Sequence, residues 1–208
     1  MEAITINNQT QRSRGRPKQA KDDLSIQEVI IATASKLFLE LGYESLSLHE
    51  IAKACNVSKP TIYYYFTSKS ELLKVAITTM LKNVHQNTMR LLNETDHMES
   101  GLLRVAEARI ASPHIKVEML LKEAESSLNE EQLKEIKDAE QRVYLLLSDF
   151  FQTAMNKGLL RKDDPLFLAH TFSTMLLISN REDTMRLHAS HLELAKKVVG
   201  LFLKGTLA

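Results

Sequence analysis

The chain has 208 residues, 44% of them hydrophobic, with six Gly, four Pro and a formal net charge of +1. That balance excludes a disordered chain and argues against a turn-rich β protein. A single Cys and no Trp rule out a disulfide framework and suit a reducing cytoplasm. No run of 18 apolar residues occurs, so no membrane partner is expected.

The charge is unevenly placed. Arg12, Arg14, Arg16, Lys18 and Lys21 face one acid, Glu2, at the start of the chain. The segment 12–18, RSRGRPK, has too little apolar content to fold alone. Its Arg-Gly-Arg-Pro core, around Arg14 and Arg16, matches an extended arm that lays Arg side chains in a narrow A/T-rich minor groove.

A first helix is expected from Ser25, where Ser25-x-x-Glu28 forms a capping box. Ile30, Ala34, Leu37 and Phe38 recur at helical spacing, and Gly42 ends the helix. The next stretch, 45–73, carries three more helix starts. Ser47-x-x-Glu50 and Ser68-x-x-Glu71 read as capping boxes, and Ser58 caps a short helix with Pro60 in its first turn. Asn56 can take the left-handed backbone between the two short helices, 48–55 and 59–65. Two short helices joined by a tight turn make a helix-turn-helix, whose second helix enters the DNA major groove.

The residue types on that second helix support the reading. Lys59 can donate to guanine acceptors and the Thr61 methyl can pack on thymine, while Pro60 offers only apolar contact. Tyr63, Tyr64 and Tyr65 cannot share one face at about 100° per residue. Ile51, Val57, Ile62 and Phe66 are the expected core.

The long helix from Ser68 to about Leu92 would link this head to the rest. Beyond it, helices are expected over 99–111 and 114–126, from Asn129 to Gly158, from Asp164-Pro165 to about Ser179, and from about Asp183 to Lys204. No repeat and no strand-like alternation is visible. The expected fold is all-α, with domains at 1–24 (basic arm), 25–67 (helix-turn-helix) and 68–208 (ligand-binding and dimerisation body). The last two helices carry apolar residues nearly all round, which implies a subunit interface. Phe172, Met175, Leu194, Val198 and Phe202 are placed there. An apolar pocket between helices is expected around Met119, Tyr144, Phe151, Met155 and Phe172.

No phosphate-binding Gly loop or nucleophile–base set is present, so no enzyme is expected and no cofactor or metal. His188-x-x-His191 has helical metal spacing but no third ligand.

The motifs A-x-x-L-F-x-E-x-G-Y at 34–43, H-E-I-A-K-A at 49–54 and V-S-K-P-T-I-Y-Y-Y-F at 57–66 resemble the DNA-binding domain of tetracycline-repressor-type (TetR-family) regulators. The continuation S-K-S-E-L-L at 68–73 fits as well. The block covers about a quarter of the chain, and Asn56 stands where that family usually has Gly. The resemblance implies Tyr hydroxyls and Lys69 on phosphates, and Ser47 and His49 at positions that meet phosphate or base. It also implies a homodimer on a palindromic double-stranded operator, released by an unidentified small-molecule effector. The alternative from the same residues is a constitutive or architectural DNA-binding dimer without effector.

Overall fold

The computed structural model describes residues 25–111 and 116–207, with helices separated by short turns. Arg14 and Arg16 therefore lie outside the described residues, as does the side chain of Met119. The helices are α1 (Ile26–Leu41), α2 (Leu48–Ala54), α3 (Lys59–Tyr65), α4 (Lys69–Asn93), α5 (Met98–Ile110) and α6 (Lys116–Ala124). They continue as α7 (Glu130–Asn156), α8 (Pro165–Leu176), α9 (Glu182–Arg186) and α10 (His191–Thr206), with a 3-10 turn at Leu177–Asn180. The fold is all-α, a small N-terminal helix-turn-helix unit on a larger helical body; one isolated bridge pairs Leu160 with Leu207.

Local chemistry starts most of these helices. Ser25 with Glu28, Ser47 with Glu50 and Asn129 with Gln132 form complete reciprocal capping boxes. Each such cap stabilises a helix by roughly 1 kcal/mol. Asp164 accepts from the amides of Leu166 and Phe167 just ahead of α8, with Pro165 at its first position.

Ser68 departs from expectation. Its hydroxyl accepts the Glu71 amide, but the Glu71 carboxylate turns away to Gln132 Nε2 at 3.0 Å and Lys74 Nζ at 2.9 Å. A tertiary bond to α7 displaces the local one. The last helix differs too. The expected single helix over 183–204 breaks after Arg186, because the Ser190 hydroxyl accepts the Glu193 amide while Glu193 accepts from Ala189. That cap starts α10 afresh and puts His188 and His191 on either side of the break, which removes their helical spacing.

Two apolar clusters hold the molecule. One joins Ile30, Ala34 and Phe38 of α1, Ile51, Ile62, Phe66 and the α4 residues Leu72, Leu73, Ala76 and Ile77. It continues into Leu120 and Ala124 of α6 and Ile136 of α7. The other unites Leu92 with α5, α7, α8 and α10 through Leu102, Val105, Phe151, Phe172, Val198 and Phe202. Burying each of the larger of these side chains contributes about 1.5–3 kcal/mol. Helix α4 belongs to both clusters, so a shift along it is felt at both ends.

Candidate nucleic-acid interface

The reading unit is built from its caps and two buried anchors. At the start of α2, Ser47 Oγ accepts the Glu50 amide at 3.2 Å, and Glu50 Oε2 takes both the Ser47 amide (2.8 Å) and its hydroxyl (2.7 Å). The Ser47 side-chain hydrogen bond, with its backbone bond, holds the Glu50 carboxyl below its ordinary value. Asn56 then turns the chain at φ 53°, and the Val57 amide returns to Ala52 O at 3.0 Å. Asn tolerates this left-handed geometry without glycine.

Ser58 caps α3 through the Thr61 amide and also bonds the Thr61 hydroxyl at 2.7 Å. Ile62 and Phe66 are buried at 0% and 2% exposure and fix how α3 is rolled. Val57 packs against the same core. Cys55, at the end of α2, is half-buried; burial raises its thiol pKa, and a hydrogen bond with Thr33 works the other way. A thiol held protonated is a poor nucleophile.

That roll turns Tyr64 (82% exposed) and Tyr63 (49%) outward. Tyr65 instead packs on the core, edge to face with Tyr64 at 5.0 Å between ring centres. Lys59 and Pro60 are exposed, and Thr61 is half-buried with its hydroxyl bonded to Ser58. The Lys59 ammonium lies 5.8 Å from the centre of the Tyr63 ring. Ser47, His49, Lys59, Tyr63 and Lys69 border one shallow open concavity of about 590 Å³, rimmed also by Glu44 and Glu50.

Lys69 carries a bond set that its spacing did not reveal. Its ammonium donates to the carbonyls of Tyr43 at 2.9 Å and Leu46 at 3.0 Å, and sits 4.0 Å from the Tyr43 ring centre. Two of its three donors thus hold the loop before α2. The same loop is gripped from the body, where Glu123 Oε2 on α6 accepts the Tyr43 amide at 2.8 Å.

Residues 30–76 match the family model of bacterial regulatory proteins, tetR family. The chain carries a tetR-family domain over that stretch. Among its relatives, the uncharacterised HTH-type transcriptional regulator YuxN of Bacillus subtilis is 46% identical over 68 residues, 32% of this chain and 22% of YuxN. The chain thus spans about a fifth of that relative's length. A structure from Saccharomonospora viridis, solved in complex with choline, superposes at a TM-score of 0.72 with 22% identity, over 88% of this chain and 97% of that one. AibR, solved with isovaleryl coenzyme A and operator DNA, gives 0.66 with 23% identity, over 85% and 97%. At these identities the structures establish a shared fold. No described helix is long and apolar enough to cross a membrane.

In the helical body, the residues expected to line a pocket mostly pack in the core. Phe151 and Phe172 are fully buried, and with Phe202 they make a three-ring cluster with centres 5.1–6.1 Å apart. Met155 is buried beside them. Tyr144 packs tilted against His170, with ring centres 4.2 Å apart, and donates to Glu140. A more apolar hollow of about 330 Å³ lies elsewhere, between α1, α4 and α5, with Leu39, Met80, Val84, Leu91, Val105 and Arg109 on its wall.

The residues expected at a subunit interface are placed by the structure as follows. Phe172, Leu194, Val198 and Phe202 are 0–5% exposed and fill the interior of the single chain; Met175 is half-buried on its edge. The outward surface instead carries Phe167 (59% exposed), Ile178 and Leu201 (67%). Gly200 and Gly205 border Leu201, and a Cβ at either would meet nothing within the chain.

Proposed function

We propose that the chain is a homodimeric, sequence-specific DNA-binding transcriptional regulator of the cytoplasm, a repressor that leaves its palindromic operator when a small molecule occupies the helical body. The observation that carries this reading is the outward set of α3: Lys59, Pro60, Tyr63 and Tyr64 exposed on a helix rolled into place by Ile62 and Phe66. A helix buried for packing alone would not leave so large an aromatic surface in water.

Lys59 and Thr61 meet base edges, Pro60 packs beside them, and the hydroxyls of Tyr63 and Tyr64 reach backbone phosphates. Tyr65 contributes mainly by wedging α3 against the core. Ser47, His49 and the remaining Lys69 donor flank the phosphates at the concavity's edge. Arg14 and Arg16 extend the contact into the adjoining minor groove.

One seven-residue helix offers few base contacts, and a second copy supplies the other half-site. The dimer face we assign to Phe167, Ile178 and Leu201, with Met175 at its border. Glycine costs a helix interior about 1 kcal/mol against alanine, and Gly200 and Gly205 gain nothing for it inside the chain. Close approach of a partner helix supplies the reason. That related folds are solved with choline, or with isovaleryl coenzyme A and operator DNA, supports a small-molecule effector here.

The test is selection of binding sites from randomised duplex DNA. A palindrome with half-sites about 34–36 Å apart is the expected result. Recovery of unspaced A/T-rich DNA alone would make the chain an architectural binder.

A further inference from the structure

The hollow between α1, α4 and α5 has an arginine on its wall for which no ion pair is found among the described residues. Arg109 sits on its wall, near the end of α5. Its Nε is shut off from solvent and has no hydrogen-bond partner among the described residues. Arg109 is pushed below its ordinary pKa by burial, with the charge of Tyr144 acting in the opposite direction. A buried N–H without an acceptor is costly, and the planar fork to which this one belongs is arranged for a planar anion.

The rest of the wall says what such an anion carries. Met80, Val84, Leu91 and Val105 make an apolar lining, and Asn83, Asn87 and Thr88 provide polar points on α4. At about 330 Å³, the hollow has room for roughly ten non-hydrogen atoms, taking about 30 Å³ for each. Planar, bidentate recognition by Arg favours a carboxylate over a spherical anion.

We infer that this hollow binds a small aliphatic carboxylate, its head on Arg109 and its chain along Met80, Val84 and Val105. This deepens the reading of the chain as an effector-controlled regulator and rests on it. The wall also includes Leu39 of α1, which packs on the head cluster. A ligand there touches the reading unit's first helix directly and α4 along three turns. Filling the hollow therefore bears on the packing of α1 against α4, with no relay needed through the rest of the body. The effector acts to the extent that it binds the DNA-free arrangement more tightly.

The experiment is calorimetric titration of the full chain with straight-chain carboxylates of four to ten carbons, each paired with the alcohol and the amine of equal length. The expected result is at least one carboxylate bound tenfold or more tightly than its alcohol and amine. Arg109→Met should erase that preference, and Ala108→Phe, which fills the hollow while leaving Arg109 in place, should abolish binding. Circular dichroism confirms that both variants fold. Equal binding of acid and alcohol, no binding of any acid, or unchanged preference in Arg109→Met overturns the assignment. Operator affinity is read separately with the same carboxylate. An acid bound through Arg109 that leaves operator affinity unchanged keeps the site and overturns the effector reading.

Discussion

The Glu123 carboxylate on α6 accepts the backbone amide of Tyr43 at 2.8 Å, joining body to head across 80 positions of sequence. Lys69 holds the carbonyl of the same residue, so Tyr43 is fixed through both of its backbone polar groups. Glu123→Ala leaves a half-buried donor unpaired beside a loop that sets the angle of α2. A hydrogen bond to a charged group contributes about 1.5–3 kcal/mol. A stability loss of that size in urea denaturation is expected, with faster hydrogen exchange at Tyr43, and Glu123→Gln should recover most of both. Gly42→Ala should destabilise as well, since φ is +84° and a Cβ there would come within 2.9 Å of Glu123 Oε2.

Tyr64 and Thr61 separate affinity from sequence preference. Tyr64→Phe removes one exposed hydroxyl and should weaken every duplex alike, by about 1 kcal/mol or roughly fivefold. Thr61→Ala should relax preference at one base position, at a cost of about 1–3 kcal/mol on the preferred site. Anisotropy against single-position variants of the selected operator distinguishes them. The reverse pattern would exchange the two roles.

Leu201 and Val198 lie one turn apart on α10 and predict opposite outcomes. Leu201→Glu changes an exposed position and should yield a folded monomer. Val198→Glu places a charge in the three-ring core and should unfold the chain. Light scattering and circular dichroism together read both. A Leu201→Glu protein that remains dimeric would move the interface away from this face.

Glu71 should contribute to acid sensitivity. Burial raises its pKa, but hydrogen bonds from Gln132 and Lys74, with the Lys74 charge, outweigh it and leave the carboxyl below its ordinary 4.5. A depressed folded pKa adds stability that is complete above the unfolded value and lost as pH falls through the folded one. Urea midpoints should therefore fall as pH drops from about 4.5 downward, and Glu71→Gln should show a shallower fall over that window. Equal slopes would assign the acid loss to other carboxylates.

Arg109→Met should stabilise the ligand-free protein by about 1–3 kcal/mol, the cost of a buried unsatisfied polar group. The same change destroys the proposed carboxylate preference. A thermal melt without ligand checks it; a lower midpoint would show that Arg109 has a structural partner.

What could be read from the sequence was local. Ser25, Ser47, Ser58, Asn129 and Asp164 announce their helices because each cap is closed within three residues. The helix-turn-helix was legible for the same reason, with Asn56 marking the turn. Features that depend on distant neighbours were not. Glu71 looked like half of a capping box until Gln132, 61 positions away, claimed it. The wheel of α10 showed apolar residues all round, but only packing decides that Val198 and Phe202 face in while Leu201 faces out. Ser190-x-x-Glu193 was an available cap signal, hidden by the apolar period running through it. Arg109 gave no signal at all, since a lone arginine on a helix is ordinary until its surroundings are known.

The central claim is that α3 from each of two copies reads one half-site. Hydroxyl-radical footprinting of the selected operator, with native mass spectrometry of the same complex, tests it most directly. The account predicts two chains per duplex and two protected patches centred about one helical turn apart, both lost in a chain carrying Lys59→Ala, Thr61→Ala and Tyr64→Phe together. One chain on a single patch, or protection unchanged by those substitutions, would contradict it.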